Sequence, residues 1–174
     1  GEGAPEAVCN VPDLLEESKV WQWAGIGFGQ QELYRLQKSL KTLAKDTGAN
    51  WIRFFGVVKG TDKDYFVAEG DYAGEEGGED GPERPPEFEA KGSGVNKYTY
   101  WVTSCSTGKW EILPDLEPKD IAASRSIKVL FSGNTKREIH TNPYFFGKEE
   151  IYLRAQIARI SHSTTLAPKG YYKF

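Results

Sequence analysis

Apolar positions recur with a helical period twice near the start of the chain. The stretch Val11 to Trp23 opens with Pro12-Asp13 and carries Leu14, Leu15, Val20 and Trp23. This predicts a short helix running into a turn built on Gly25, Gly27 and Gly29. Beyond the turn, Leu33, Leu36, Leu40 and Leu43 step by three and four, with Glu32, Arg35, Lys38, Lys41 and Lys45 around the rest of the wheel. That pattern predicts an amphipathic helix ending near Gly48, a residue suited to a C-terminal cap. From Trp51 the character changes. WIRFFGVV and DYFVAEGDY, rich in β-branched and aromatic residues, flank the polar turn KGTDKD and predict a β-hairpin. Strand signals resume over Asn96–Ser104 and around Trp110–Leu113, and Pro118 opens a further helix through Ile121, Ala122, Arg125 and Val129.

The run Glu150 to Ser161 fits two periods. Ile151, Leu153, Ala155 and Ile157 alternate as in a strand, while Tyr152, Leu153, Ala155, Ile157, Ala158 and Ile160 can be drawn on a helix. Ile160 breaks the alternation, and an extra residue near Ala158-Arg159 restores it, so the expectation is a strand with a β-bulge. The composite is an α+β domain: a mainly antiparallel sheet of about five strands packed by two or three helices. The prediction is a single domain over residues 11–174, behind a flexible segment 1–10.

Composition adds one feature to this picture. Residues 73–91 hold acids, glycines and three prolines with almost no apolar side chain, so they cannot bury enough surface to offset the cost of ordering. A disordered acidic loop is expected there. The 174 residues carry a net charge of −3, which argues against nucleic acid as a partner, because phosphate binding needs a basic stripe. No apolar run approaches the roughly 20 residues that cross a bilayer, and the small, acidic first residues lack the form of a signal peptide. Cys9 and Cys105 fit no metal or redox spacing. Two lone cysteines predict a reducing, cytoplasmic setting without a bridge between them.

Catalytic signatures are sparse. Gly25-Ile26-Gly27-Phe28-Gly29 before a helix suggests an anion or small-ligand site, but phosphate loops need a preceding strand, and Gln30-Gln31 stand where Lys-Ser/Thr belongs. The alternative is a tight corner between two helices. His140 and His162 belong to no metal-ligand pattern, and Ser104 with His140 makes a triad only on paper, without a nucleophile elbow. The acids of the 73–91 stretch lack EF-hand order. No catalytic, cofactor or metal residue is assigned. Arg154 and Arg159 punctuate the apolar run. The ordinary account pairs them with carboxylates or turns them to solvent, and the sharper one makes them anchors of a protein interface.

Several words of this sequence, read in order, resemble the radial spoke head proteins of the four/six family. They are WQWAGIGFGQQE (Trp21 to Glu32), RFFG (Arg53 to Gly56), DYFVAE (Asp64 to Glu69), GVNKYTYWV (Gly94 to Val102), Trp110 with Leu113-Pro114, YLRAQIARIS (Tyr152 to Ser161) and PKGYYKF (Pro168 to Phe174). The resemblance implies a non-catalytic structural subunit of the radial spoke head, in the cytoskeleton of motile cilia and flagella, passing mechanical signals between the central pair and the outer doublets. It also implies partners: a paired four/six-type subunit, a shorter related head subunit, MORN-repeat head proteins and the central-pair projections. A homodimer is left open. Family members are commonly longer than this chain, which looks like their core domain.

Overall fold

The computed structural model describes residues 9–71 and 89–164. The segments 1–8, 72–88 and 165–174 lie outside it, and with them most of the expected acidic loop and the Pro168–Phe174 word. The first helix, α1 (Leu14–Trp23), starts on Asp13, whose carboxylate accepts from the backbone N–H groups of Leu15 and Glu16. The second, α2 (Gln30–Thr47), ends where Gly48 adopts the left-handed conformation at φ 66°. The side-chain oxygen of Gln37 on α2 accepts from the Leu14 N–H at 2.8 Å, tying the start of α1 to α2.

Four strands follow: β1 (Ile52–Val58), β2 (Tyr65–Gly70), β3 (Thr99–Thr103) and β4 (Glu111–Ile112). They pair antiparallel in the order β1-β2-β3-β4. The register sets Val67 opposite Val102 and Ala68 opposite Trp101. Alternation then gives the sheet two buried faces. One, with Ile52, Ala68 and Trp101, receives the leucines of α2 together with Leu14. The other, with Tyr65, Val67, Tyr100 and Val102, receives Leu153 and Ile157. Alternation sends Phe54 to the first face and Phe55 to the second, and a bulge between Phe54 and Gly56 then shifts the register with β2.

The helix α3 (Pro118–Arg125) carries Pro118 in its first turn and a capping box between Glu117 and Asp120. The last element corrects the sequence expectation. Residues Glu149–Ser163 form a helix, α4, and not a bulged strand. Removing that strand reduces the expected five to the observed four. The helix is enclosed on several sides: Leu153 and Ile157 face the sheet, while Ile151 and Tyr152 enter a third cluster with Ile127, Ile139 and Phe145. A helix buried this way shows no single apolar stripe, so the 3.6-residue period is blurred and chance alternation stands out. Residues 127–148, which cover that third cluster, make only isolated ladder contacts, such as Phe131 beside Gly60.

Leu36 is fully buried beneath the sheet. Leu36→Ala is expected to cost about 2–5 kcal/mol, read as a lower urea midpoint with an unchanged slope.

Candidate binding surface on the last helix

Two buried carboxylates hold the second face of the sheet together. Glu149, 0% exposed, sits at the start of α4. It accepts from the Tyr65 hydroxyl at 2.7 Å, the Ser132 N–H at 2.8 Å, the Ser132 hydroxyl at 2.9 Å, the Gly133 N–H at 3.1 Å and Arg137 Nε at 2.5 Å. Burial works against its charge, but the hydrogen bonds from Tyr65, Arg137 and Ser132 outweigh it and hold its pKa below the ordinary value. Burial, then the bond to Glu149, pushes the Tyr65 hydroxyl far up. Gly133 is required in this junction: its φ is 99°, and a Cβ there would lie 2.5 Å from the Lys63 carbonyl oxygen.

The second carboxylate is Glu69 on β2, 1% exposed. It accepts from Arg53 and from the Tyr100 hydroxyl. Burial and that bond likewise push Tyr100 up. Each carboxylate therefore joins a strand tyrosine to an arginine, and neither is left as a free acid for chemistry.

Beside Tyr100 lies Arg154, which departs from the ordinary expectation of a carboxylate pair or a solvent-facing side chain. It is 2% exposed, and among the described residues its hydrogen bonds go to backbone carbonyls. Its Nη2 donates to the Val95 carbonyl at 2.9 Å, and its guanidinium lies 4.4 Å from the Tyr100 ring centroid. Among the described residues, Nη1 is a buried side-chain nitrogen that finds no hydrogen-bond partner. Leaving such a donor unmade costs about 1–3 kcal/mol or more for a charged group. Burial pulls the guanidinium pKa down, and the nearby Tyr100, Asp115 and Glu69 partly restore it. Arg159, five residues on, is exposed and donates to Gln156.

A cleft of about 890 Å³ opens over Arg154, between α3, α4 and the 89–98 segment, with Lys97, Arg125, Arg159 and His162 on its walls. Arg154, Ala158, Ser161 and His162 all line it and fall at i, i+4, i+7 and i+8, one face of α4. Asn96 fixes the opposite wall: its amide donates to the carbonyls of Glu89 and Leu116, and its carbonyl accepts from the Leu116 N–H. Glu89, the acid on that wall, is engaged with the Val95 N–H. Sequence reasoning flagged Arg154 and Arg159 but missed Lys97 and Arg125, whose partnership depends on α3 and the 89–98 segment meeting α4.

The other sequence candidates fall elsewhere. The Gly25–Gly29 turn joins two helices, and its Phe28 packs between Phe54 and Phe66 at centroid distances of 6.1 and 5.9 Å. That ring gives the turn a packing role. Gly29 is the N-cap of α2, which by itself assigns no ligand. Cys9 and Cys105 are free thiols. His140 is exposed beside Glu138, and His162 is exposed near the end of α4. Among the described residues no group of three or more His, Cys, Asp or Glu is placed to hold a metal, and no helix is long and apolar enough to cross a membrane.

The domain is thus a sheet buried on both faces and stitched by paired Tyr–carboxylate–Arg contacts, with a basic cleft beside α4. The chain belongs to the radial spokehead-like protein family, whose model matches residues 2–87 and 79–174. It is 32% identical to radial spoke head protein 6 homolog A of Mus musculus and 34% identical to that of Xenopus tropicalis. It is also 34% identical to flagellar radial spoke protein 4 of Chlamydomonas reinhardtii. Each match covers 94% of this chain but only 28%, 38% and 39% of the respective relatives.

The depressed Glu149 pKa sets an expected pH dependence. Its contribution is present above the unfolded-state pKa of about 4.3 and is lost as pH falls through the lower folded-state value. Glu149→Gln should therefore be less stable than the parent at pH 7, with the gap narrowing in acid. Urea midpoints measured across that range check this; parallel curves would contradict it.

Proposed function

We propose that the chain is a non-catalytic structural domain of a radial spoke head in the axoneme of motile cilia or flagella. There it supports head assembly and conveys mechanical contact between the central pair and the outer doublets. The observation carrying this reading is the family match, which spans the chain from residue 2 to residue 174. The geometry agrees with it: the acids on the sheet are consumed in structural contacts, and large apolar side chains such as Trp23, Tyr144 and Phe146 are left exposed. Aromatic groups of this kind are enriched where proteins meet. The partners are other spoke head subunits, namely a paired four/six-type subunit, a shorter related subunit and MORN-repeat proteins, with the central-pair projections opposite.

In a motile ciliated cell lacking its own relative, the full-length tagged protein is expected to enter the axoneme and restore spoke heads and beating. Electron tomography and waveform analysis provide the readouts. A tagged protein excluded from axonemes, or loss of the gene with spokes and beating intact, would overturn the reading.

A further inference from the structure

The Arg154 cleft has the makings of a receptor, and its chemistry narrows what it receives. Its floor is a guanidinium, 2% exposed, with one nitrogen unpartnered among the described residues. Its walls carry Lys97, Arg125, Arg159 and His162, while its acid, Glu89, is already bonded to the Val95 N–H. Arg154 and Arg159 are on one helix, Arg125 closes α3 and Lys97 follows the Asn96-clamped turn, so the cations converge from three elements. Asn96 keeps the Val95 carbonyl beside Arg154, so one side of the guanidinium fork is occupied and the other is left over.

A carboxylate oxygen suits the unpartnered Nη1, because charge-assisted bonds from guanidinium to carboxylate are strong. A single phosphate can meet only one or two of these cations, whereas cations spread over three elements suit an occupant with several separated negative charges. The cations along the walls exceed what one small carboxylate can use, and a volume of about 890 Å³ leaves room for more than one such group. On these grounds we infer that the Arg154 cleft binds an acidic segment of a neighbouring protein chain, one carboxylate entering above Arg154 and others meeting Lys97, Arg125 and Arg159. This deepens the assembly role proposed above and rests on it for the identity of the neighbour as a protein.

The test is a calorimetric titration of the 174-residue chain with a blocked tetraglutamate peptide at low salt. The tetraglutamine peptide, free glutarate and inorganic phosphate serve as comparison probes. Saturable one-site binding of tetraglutamate is expected, weakened at least tenfold by Arg154→Gln and several-fold by Lys97→Glu or Arg159→Glu. Lys19→Glu and Lys45→Glu, on α1 and α2, should leave it unchanged. Arg154→Lys keeps the charge but loses the fork, and should bind more weakly than the parent. If Arg154→Gln fails to fold by circular dichroism, the exposed Lys97 and Arg159 reversals carry the test alone. The inference is overturned if tetraglutamate does not bind, if binding is indifferent to the cleft variants, or if phosphate or glutarate binds as tightly. A protein that enters axonemes yet shows no such binding sinks the cleft and spares the assembly role. Binding by a protein excluded from axonemes does the reverse.

Discussion

The fold depends on a carboxylate with no access to water. Glu149 begins α4, and its two oxygens gather a strand tyrosine, the backbone of Ser132 and Gly133, a hydroxyl and an arginine. A buried charge is tolerated only when its lone pairs are filled. All these groups must therefore be in place together, and the position of α4 against the sheet is fixed by that condition. The arrangement is also favoured by the helix itself, whose N-terminal end carries partial positive charge. Arg154 then lies on the same rigid helix about one and a half turns further on, so its distance from Val95 and Tyr100 is largely set by the Glu149 junction.

The Glu69 contact works on a smaller scale. It locks β2 to β3 through Tyr100 and to β1 through Arg53, whose guanidinium remains half in solvent. Tyr100 thus has two electrostatic neighbours, the carboxylate at its hydroxyl and the Arg154 guanidinium over its ring. Positive charge over a ring face is favourable, and it places Arg154 between a satisfied interior and a basic cleft.

Much of this was legible along the chain. Leu33, Leu36, Leu40 and Leu43 marked α2 because the helix is buried on one side only, and Gly48 marked its end. The hairpin was equally plain, since its β-branched and aromatic runs flank a polar turn. What failed was α4, where burial on several sides erased the stripe. Local propensity offered a better guide, because Glu149 to Gln156 are mostly strong helix formers with acids in the first turn. Glu149 itself was unreadable: its tyrosine partner lies 84 residues away, and no local pattern reports a bond across that distance. The cleft failed for the same reason, being assembled from three separated segments.

That separation has a consequence for the newborn chain. Synthesis runs from the N-terminus, so β1 to β4 leave the ribosome well before α4 does. During that interval α2 can already cover one side of the sheet, while Tyr65, Val67, Tyr100 and Val102 lack the helix that shields them. An unshielded apolar sheet invites aggregation. The fifteen-residue helix α4 therefore closes the second face of this sheet, and a nascent chain interrupted before it would present a half-covered sheet to the chaperones.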